Sequence, residues 1–309
     1  MSAIPFKVWS RWLLTEREQF FGYDLAGSME DEMMQVYERN ESAGERSLMM
    51  VTGATGGLGK AFAVECASRG WDVFLTDMKP EPLAVLAGSL QHTYGVRVFT
   101  QTCDMTDAAA RSALFDELKN AGLKFWGLVN VAGLDYEGPF FEQSAEQIRT
   151  IVRLNIEGTL EMTHGIMAFR DPFKTFRIIN VASLAGFFPM PVKATYAASK
   201  RFLVDFSLAL GDELRGLGAT VTVLCPAGMP TTMKCIESID SQGIMGQLTT
   251  QNTGSVANQT LNAALKGKAM CIPGRLNHIL RIAGSLVPSR LLAKMIGSRW
   301  RMTRQRIGA

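Results

Sequence analysis

No apolar run in this 309-residue chain reaches the roughly 18 residues that a membrane-spanning helix needs, so no spanning segment is expected. The five cysteines, at 66, 103, 225, 235 and 271, form no CxxC pair, and the three histidines, at 92, 164 and 278, show no metal-ligand spacing. A disulfide scaffold and a zinc centre are therefore not expected, and no metal site is assigned. Residues 1–22 lack the apolar stretch of an export signal, because Glu16 and Glu18 interrupt it. The expectation is a cytoplasmic protein with reduced thiols. Repeats and low-complexity tracts are missing too. Acidic residues stop at Asp240: positions 241–309 hold ten Lys or Arg and no Asp or Glu, whereas positions 1–47 carry nine acidic and five basic side chains. A basic tail of this kind suits a solvated or subunit-packing face, or an anionic partner such as phosphate or lipid. No nucleic-acid-binding module accompanies it, so nucleic acid is not an expected partner.

With 47% hydrophobic and 20% charged residues, the chain has the composition of an ordinary globular protein. Its middle alternates two patterns. Short β-rich runs occur at 48–52, 72–76, 96–100, 126–131, 177–182, 219–225 and 269–272. Stretches with helical period lie between them, at 58–69, 108–120, 147–168 and 196–214. Such alternation predicts βαβ units, hence a doubly wound parallel α/β sheet with helices on both faces. Runs such as Leu48-Met49-Met50-Val51 suit strands buried on both faces. The expected organisation is an N-terminal arm over 1–47, one α/β domain over 48–273 and a basic C-terminal arm over 274–309. The second arm contains amphipathic stretches at 276–286 and 290–296, separated by Pro288. In the first, Phe6, Val8, Trp9, Trp12, Leu13 and Leu14 form a dense apolar cluster, which is expected to dock on the domain or on a neighbouring subunit.

The first strand runs into Thr52-Gly53-Ala54-Thr55-Gly56-Gly57-Leu58-Gly59 and then a helix. Glycines let a backbone turn sharply and approach a pyrophosphate, whose charge is met by the amides of the helix N-terminus. An acidic residue, Asp77, follows 18 positions after Gly59 at the end of the second strand. A carboxylate there can accept the adenosine ribose hydroxyls, and it repels a 2′-phosphate, so NAD(H) is the expected cofactor.

From this point the sequence resembles the short-chain dehydrogenase/reductase family, whose glycine pattern is TGxxxGxG. Asp104 in Cys103-Asp104-Met105, Asn130-Val131-Ala132-Gly133, Asn155 and Pro226-Ala227-Gly228-Met229-Pro230-Thr231 match further family motifs in order. Val131 departs from the usual second Asn, and Ala227 from a usual glycine. The resemblance implies a Rossmann fold in which Gly53, Thr55, Gly57, Leu58, Gly59, Asp77, Asp104, Met105, Asn130, Ala132, Gly133, Pro226, Gly228 and Thr231 contact the cofactor, together with Tyr196 and Lys200.

The catalytic candidates are Asn155, Ser183, Tyr196 and Lys200. Tyr196 and Lys200 are four apart on a helix and so share a face. Hydride arriving at a ketone leaves an alkoxide that needs a proton, and hydride leaving an alcohol needs a base. A free tyrosine titrates near 10, and a nearby ammonium stabilises its phenolate. Ser183, 13 residues upstream, can hydrogen-bond the reacting oxygen. The resemblance further implies that Lys200 grips the nicotinamide ribose, that Asn155 holds a water linking Lys200 to solvent, and that the protein is a homotetramer.

Three loops reach the carboxyl ends of the strands and carry Tyr136, Phe140, Phe141, Phe187, Phe188, Met190, Met229, Met233, Ile244 and Met245. That lining suits a bulky apolar ketone or alcohol, although such residues also serve subunit packing. Within the family the chain looks most like a bacterial 20β-hydroxysteroid dehydrogenase, which implies a steroid with a cortisol-type 20-ketone. A long-chain 3-oxoacyl reductase is the alternative. A non-catalytic dinucleotide-sensing or interaction protein is the alternative of another class. His164 is expected to be structural and Cys225 to pack as a small hydrophobe.

Overall fold

The computed structural model describes residues 47–231 and 248–307, with side chains through Ser298. The described residues all belong to one compact unit that starts at Ser47. The apolar cluster near the start, from Phe6 to Leu14, lies outside the described residues, as do Met233, Cys235, Ile244 and Met245.

Seven parallel strands form one sheet: β1 (Leu48–Thr52), β2 (Val73–Asp77), β3 (Val98–Thr102), β4 (Phe125–Asn130), β5 (Phe176–Val181), β6 (Ala219–Leu224) and β7 (Met270–Cys271). Their spatial order is β3-β2-β1-β4-β5-β6-β7, so the chain reverses direction between β1 and β4. In a sheet of this kind ligands bind beyond the carboxyl ends of the strands at the reversal. Register brings those ends level: Thr52 sits opposite Thr76 and Asn130, and Asn130 opposite Asn180.

Alternation along β1 divides the interior in two. Met49 and Val51 enter one core with Phe62, Leu83 and Leu261; Leu48 and Met50 enter the other with Leu114, Leu118 and Met162. The first core lies beneath α1 (Gly57–Ser68), α2 (Pro80–Tyr94) and α7 (Thr253–Leu265). The second lies beneath α3 (Ala108–Asn120) and α5 (Thr159–Ile166). A smaller cluster, including Leu203, Val204, Val223 and Cys225, packs under α6 (Ala194–Glu213). Two further helices, α8 (Arg275–Ser285) and α9 (Ser289–Ile307), follow the sheet.

Two elements differ from the sequence expectation. The helical stretch over 147–168 is broken into α4 (Ala145–Val152), a π-helical segment at Arg153–Gly158 and α5. Periodicity alone does not register the extra residue of a π turn, and such bulges concentrate at functional sites. The third strand starts two residues later than expected. Arg97 is held by Asp72, whose carboxylate accepts its backbone N–H at 2.9 Å and its Nε–H at 2.9 Å, and pairing with β2 begins at Val98. Helices α2 and α7 fill two further intervals of the expected alternation. Pro80 opens α2 and Gly95, at φ +66°, closes it, while the Asn252 side chain caps α7 by accepting from Gly254 and Ser255.

Candidate active site

The glycine turn occupies the reversal of the sheet, and its glycines are required by close contact. Gly53 has φ +62°, and a Cβ there would lie 2.8 Å from the Ala132 Cα. A Cβ on Gly59 would fall 2.0 Å from the Gly53 carbonyl oxygen, and one on Gly57 would fall 2.8 Å from Thr231. The turn thus packs backbone on backbone between β1 and the end of β4, meets the Thr231 side chain after β6, and delivers the first turn of α1 to the cleft. Thr52 secures this crossing, because its hydroxyl accepts the N–H groups of Val131 at 3.1 Å and Ala132 at 3.2 Å.

Asp77 stands at the end of β2, buried, with its two carboxylate oxygens accepting the backbone N–H of Thr55 at 2.9 Å and of Lys79 at 3.1 Å. These bonds aim the carboxylate at the turn and leave lone pairs on each oxygen. Asp104 is fixed in the same manner, accepting both the N–H and the hydroxyl of Thr106 at 2.8 Å.

Three candidates are placed otherwise than a side-chain contact with cofactor requires. Leu58 and Met105 are buried in the two cores, which apolar side chains next to the sheet favour over the cleft. Met105 also has its carbonyl held at 2.6 Å by buried Arg111, whose guanidinium reaches Glu157 and Glu161 as well. Asn130 turns inward too, donating to Thr163 Oγ1 and to Asn180 Oδ1, each at 2.9 Å. Both of its amide hydrogens are thereby used, and Asn180 passes the chain of bonds to Ser207. What these three can offer a ligand is backbone.

The catalytic candidates come from three elements: the π segment, the end of β5 and α6. Asn155, wholly buried in the π segment, exchanges two 3.0 Å bonds with the Leu134 backbone and donates to Ser199 Oγ at 3.0 Å. Ser199 in turn donates to the Tyr196 carbonyl at 2.7 Å. Lys200 is buried, donates to the Val181 carbonyl at 2.8 Å, and has its Nζ 5.8 Å from the Tyr196 ring centroid. Gly133 makes room for this group, since a Cβ there would lie 3.2 Å from Asn155 Oδ1 and 3.3 Å from Lys200 Nζ. Burial pulls the Lys200 ammonium down to about 8, partly opposed by the negative charge of Asp135. Ser183 begins a 3₁₀ turn at the end of β5, and its Oγ accepts the Ala185 N–H at 3.1 Å. Pro226 joins this edge through its carbonyl, which accepts the Leu184 N–H, and Gly228 accepts from Gln251.

Sequence reasoning missed Ser199, whose signal is only a small polar residue one helical turn from Tyr196. It also missed a latch at the mouth of the cleft. Lys193 bonds Asp135 at 2.5 Å and Glu137 at 3.1 Å, and these carboxylates hold its ammonium above the usual range despite burial. Beside it Val192 has φ +63°, a strained conformation for a β-branched residue, and its carbonyl accepts the Gly138 N–H. Of the expected apolar lining, Phe188 packs against Gly284 of α8, and Phe141 is 98% exposed. His164 lies exposed on α5, while Cys225 is fully buried and its thiol is pushed up to about 12 by burial.

A family model described as short chain dehydrogenase matches residues 47–240. The chain is 36% identical over 176 residues to a very-long-chain 3-oxoacyl-CoA reductase of Laccaria bicolor, covering 56% of this chain and 52% of that protein. It thus spans about half the length of the curated reductases it matches. To 17-beta-hydroxysteroid dehydrogenase type 3 of Rattus norvegicus it is 29% identical over 245 residues, covering 78% and 76%. A solved short-chain dehydrogenase from Sphingobium yanoikuyae in complex with NADPH superposes with a TM-score of 0.65 at 26% identity, over 77% of this chain and 93% of that one.

Proposed function

The chain belongs to the short chain dehydrogenase family, and from that premise we propose that it moves hydride between NAD(H) and a ketone or secondary alcohol on a bulky apolar substrate. The observation that carries this reading is the buried Lys200 ammonium lying against the Tyr196 ring at the carboxyl edge of the sheet. A dinucleotide fits the cradle beside it, because Gly53 and Gly59 let β1 and α1 meet closely and the first turn of α1 presents its amides there. Gly53, Thr55, Gly57 and Gly59 would hold the pyrophosphate, Asp77 the adenosine ribose, Asp104 the adenine, and Pro226, Gly228 and Thr231 the nicotinamide. When bound, that group supplies or accepts the hydride.

The chain's own residues handle the proton. In reduction the Tyr196 hydroxyl gives its proton to the carbonyl oxygen, and in oxidation the phenolate takes it from the alcohol. Lys200, charged below about pH 8, stabilises that phenolate. Ser183 uses a lone pair on the Ala185 N–H, which turns its own hydrogen outward to the reacting oxygen. Asn155 acts through position: its bonds to Leu134 and Ser199 lock the π segment against α6.

NAD(H) is preferred over the phosphorylated form because Asp77 sets a negative charge where a 2′-phosphate would sit. Two substrate classes fit the apolar lining: a steroid ketone, and a long-chain 3-oxoacyl thioester. The second is favoured by the 3-oxoacyl-CoA reductases among the relatives and by the cationic C-terminal residues, which suit an anionic carrier. The deciding experiment measures oxidation of NADH and of NADPH with ketosteroids, 3-oxoacyl-CoA thioesters and small ketones. Turnover of a steroid or a long-chain thioester with NADH supports the proposal. Tight NADH binding without oxidation by any ketone would instead make the protein a nucleotide-sensing partner.

A further inference from the structure

Helices α8 and α9 pack Leu276, Leu280, Leu292 and Ile296 against the domain at least in part, yet they also turn apolar residues to solvent. On α8 Ile279, Ile282 and Leu286 recur at steps of three and four and so share one face, each more than half exposed and Leu286 80% exposed. The opposite face is fixed by packing: Asn277 is buried, and a Cβ on Gly284 would lie 2.2 Å from the Phe188 ring. On α9 Leu291 and Met295 are likewise more than half exposed. Leu292, by contrast, turns into a crevice shared with Phe187, Val204 and Leu208. A helix lying on a globular domain ordinarily points its apolar stripe at the core. Here apolar residues stand on the outward face as well as the packed one, over two successive helices.

The rim of this surface is cationic. Arg275, Arg290 and Lys294 are exposed beside the apolar residues, and no acidic side chain occurs anywhere from 241 to 309. Among the described residues no helix is long and apolar enough to cross a membrane. An amphipathic helix with an apolar face and Lys/Arg flanks lies in the plane of an anionic bilayer, its apolar side in the headgroup–acyl boundary. A second copy fits less well, because a two-fold contact through this face would bring two rims of the same positive charge together. We propose that α8 and α9 form a docking surface for an anionic lipid bilayer, with Ile279, Ile282, Leu286, Leu291 and Met295 entering it and the flanking cations meeting lipid phosphates. The proposal goes beyond the hydride-transfer reading and does not depend on it. It would place the membrane beside the 3₁₀ turn that begins at Ser183, since α8 packs on Phe188 of the same loop.

The test is co-sedimentation of the full chain with phosphatidylcholine vesicles, with and without about 30% phosphatidylglycerol. The wild-type protein is expected to sediment with the anionic vesicles and to be released by salt. Ile279→Ser with Leu286→Ser should lower partitioning at least about tenfold. Arg290→Gln with Lys294→Gln should lower it on the order of 25-fold. Melting temperature and molar mass by light scattering should be unchanged in both variants, because all four side chains are exposed. Wild-type protein that stays in the supernatant, or variants that bind as well as wild type, overturn the proposal. So does a fall in molar mass in the variants, which would assign the face to a second copy.

Discussion

Around Gly53 and Gly59 the cleft is shaped by backbone atoms in contact. Around Lys200 it is shaped by a buried charge and a relay of side-chain hydrogen bonds. Changes at the first end are steric and displace whole elements, because a Cβ on Gly59 meets the Gly53 carbonyl, which cannot rotate away. Changes at the second end can leave every element in place and alter only protonation. On the proposed reading, binding and chemistry separate along this line: the glycine end would govern whether a dinucleotide enters, and the lysine end what happens to the proton.

The sharpest break in that comparison is Tyr196→Phe. It keeps the ring beside Lys200 and removes the proton, so turnover should fall about 10²–10⁴-fold or more while NADH affinity, read by fluorescence titration, stays within a few-fold. Turnover near the wild-type value would remove Tyr196 from the mechanism. Next in size is Gly59→Ala. Its Cβ forces the turn open, so dinucleotide affinity should drop on the order of a hundredfold and the melting temperature should fall with it. Unchanged affinity would show that the turn adjusts as side chains do.

Lys200→Met probes the electrostatic end through stability. A lysine pulled down from 10.5 to about 8 in the folded protein opposes folding while it is charged. That cost is fully present below pH 8 and disappears as pH rises to 10.5, because the unfolded chain binds more protons over this interval. Relative to the Met variant, the wild-type protein should therefore gain about 3 kcal/mol between those limits in chemical denaturation. Cys66 and Cys103 contribute equally to both proteins and cancel, and Cys225→Ser in both backgrounds removes a thiol whose titration is linked to that of Lys200. A pH-independent gap would mean that Lys200 is not desolvated. Asp77→Ala should reduce the NADH-over-NADPH ratio of kcat/KM at least about tenfold. The smallest effect is expected at the latch, where Lys193→Met should raise KM less than about fivefold with kcat retained, as partly exposed ion pairs contribute little.

The order of strands and helices was legible because β1 reads as an unbroken apolar run and α1 follows a glycine turn. The limits of β3 were not, since they depend on Asp72 holding Arg97. The π segment was invisible for a similar reason: its extra residue is stabilised by Asn155 bonding to Leu134 and Ser199, which are remote in sequence. Within the candidate site, Tyr196 and Lys200 were readable from spacing on one helix. Asn130 was read as a cofactor contact, and only its partners Thr163 and Asn180 reveal that its side chain serves the core.

The sequence by itself determined the alternation of elements, the position of the glycine turn and the pairing of Tyr196 with Lys200. All three follow from local rules: side-chain period, backbone freedom and helical spacing. The tertiary structure alone decided which polar groups are buried together. Lys200 loses its hydration only when β5 supplies the Val181 carbonyl and Gly133 closes over it, and the C-terminal helices reveal an outward apolar face only once α8 packs on Phe188. Desolvation and facing direction are properties of neighbours brought together by folding, and no local pattern encodes them.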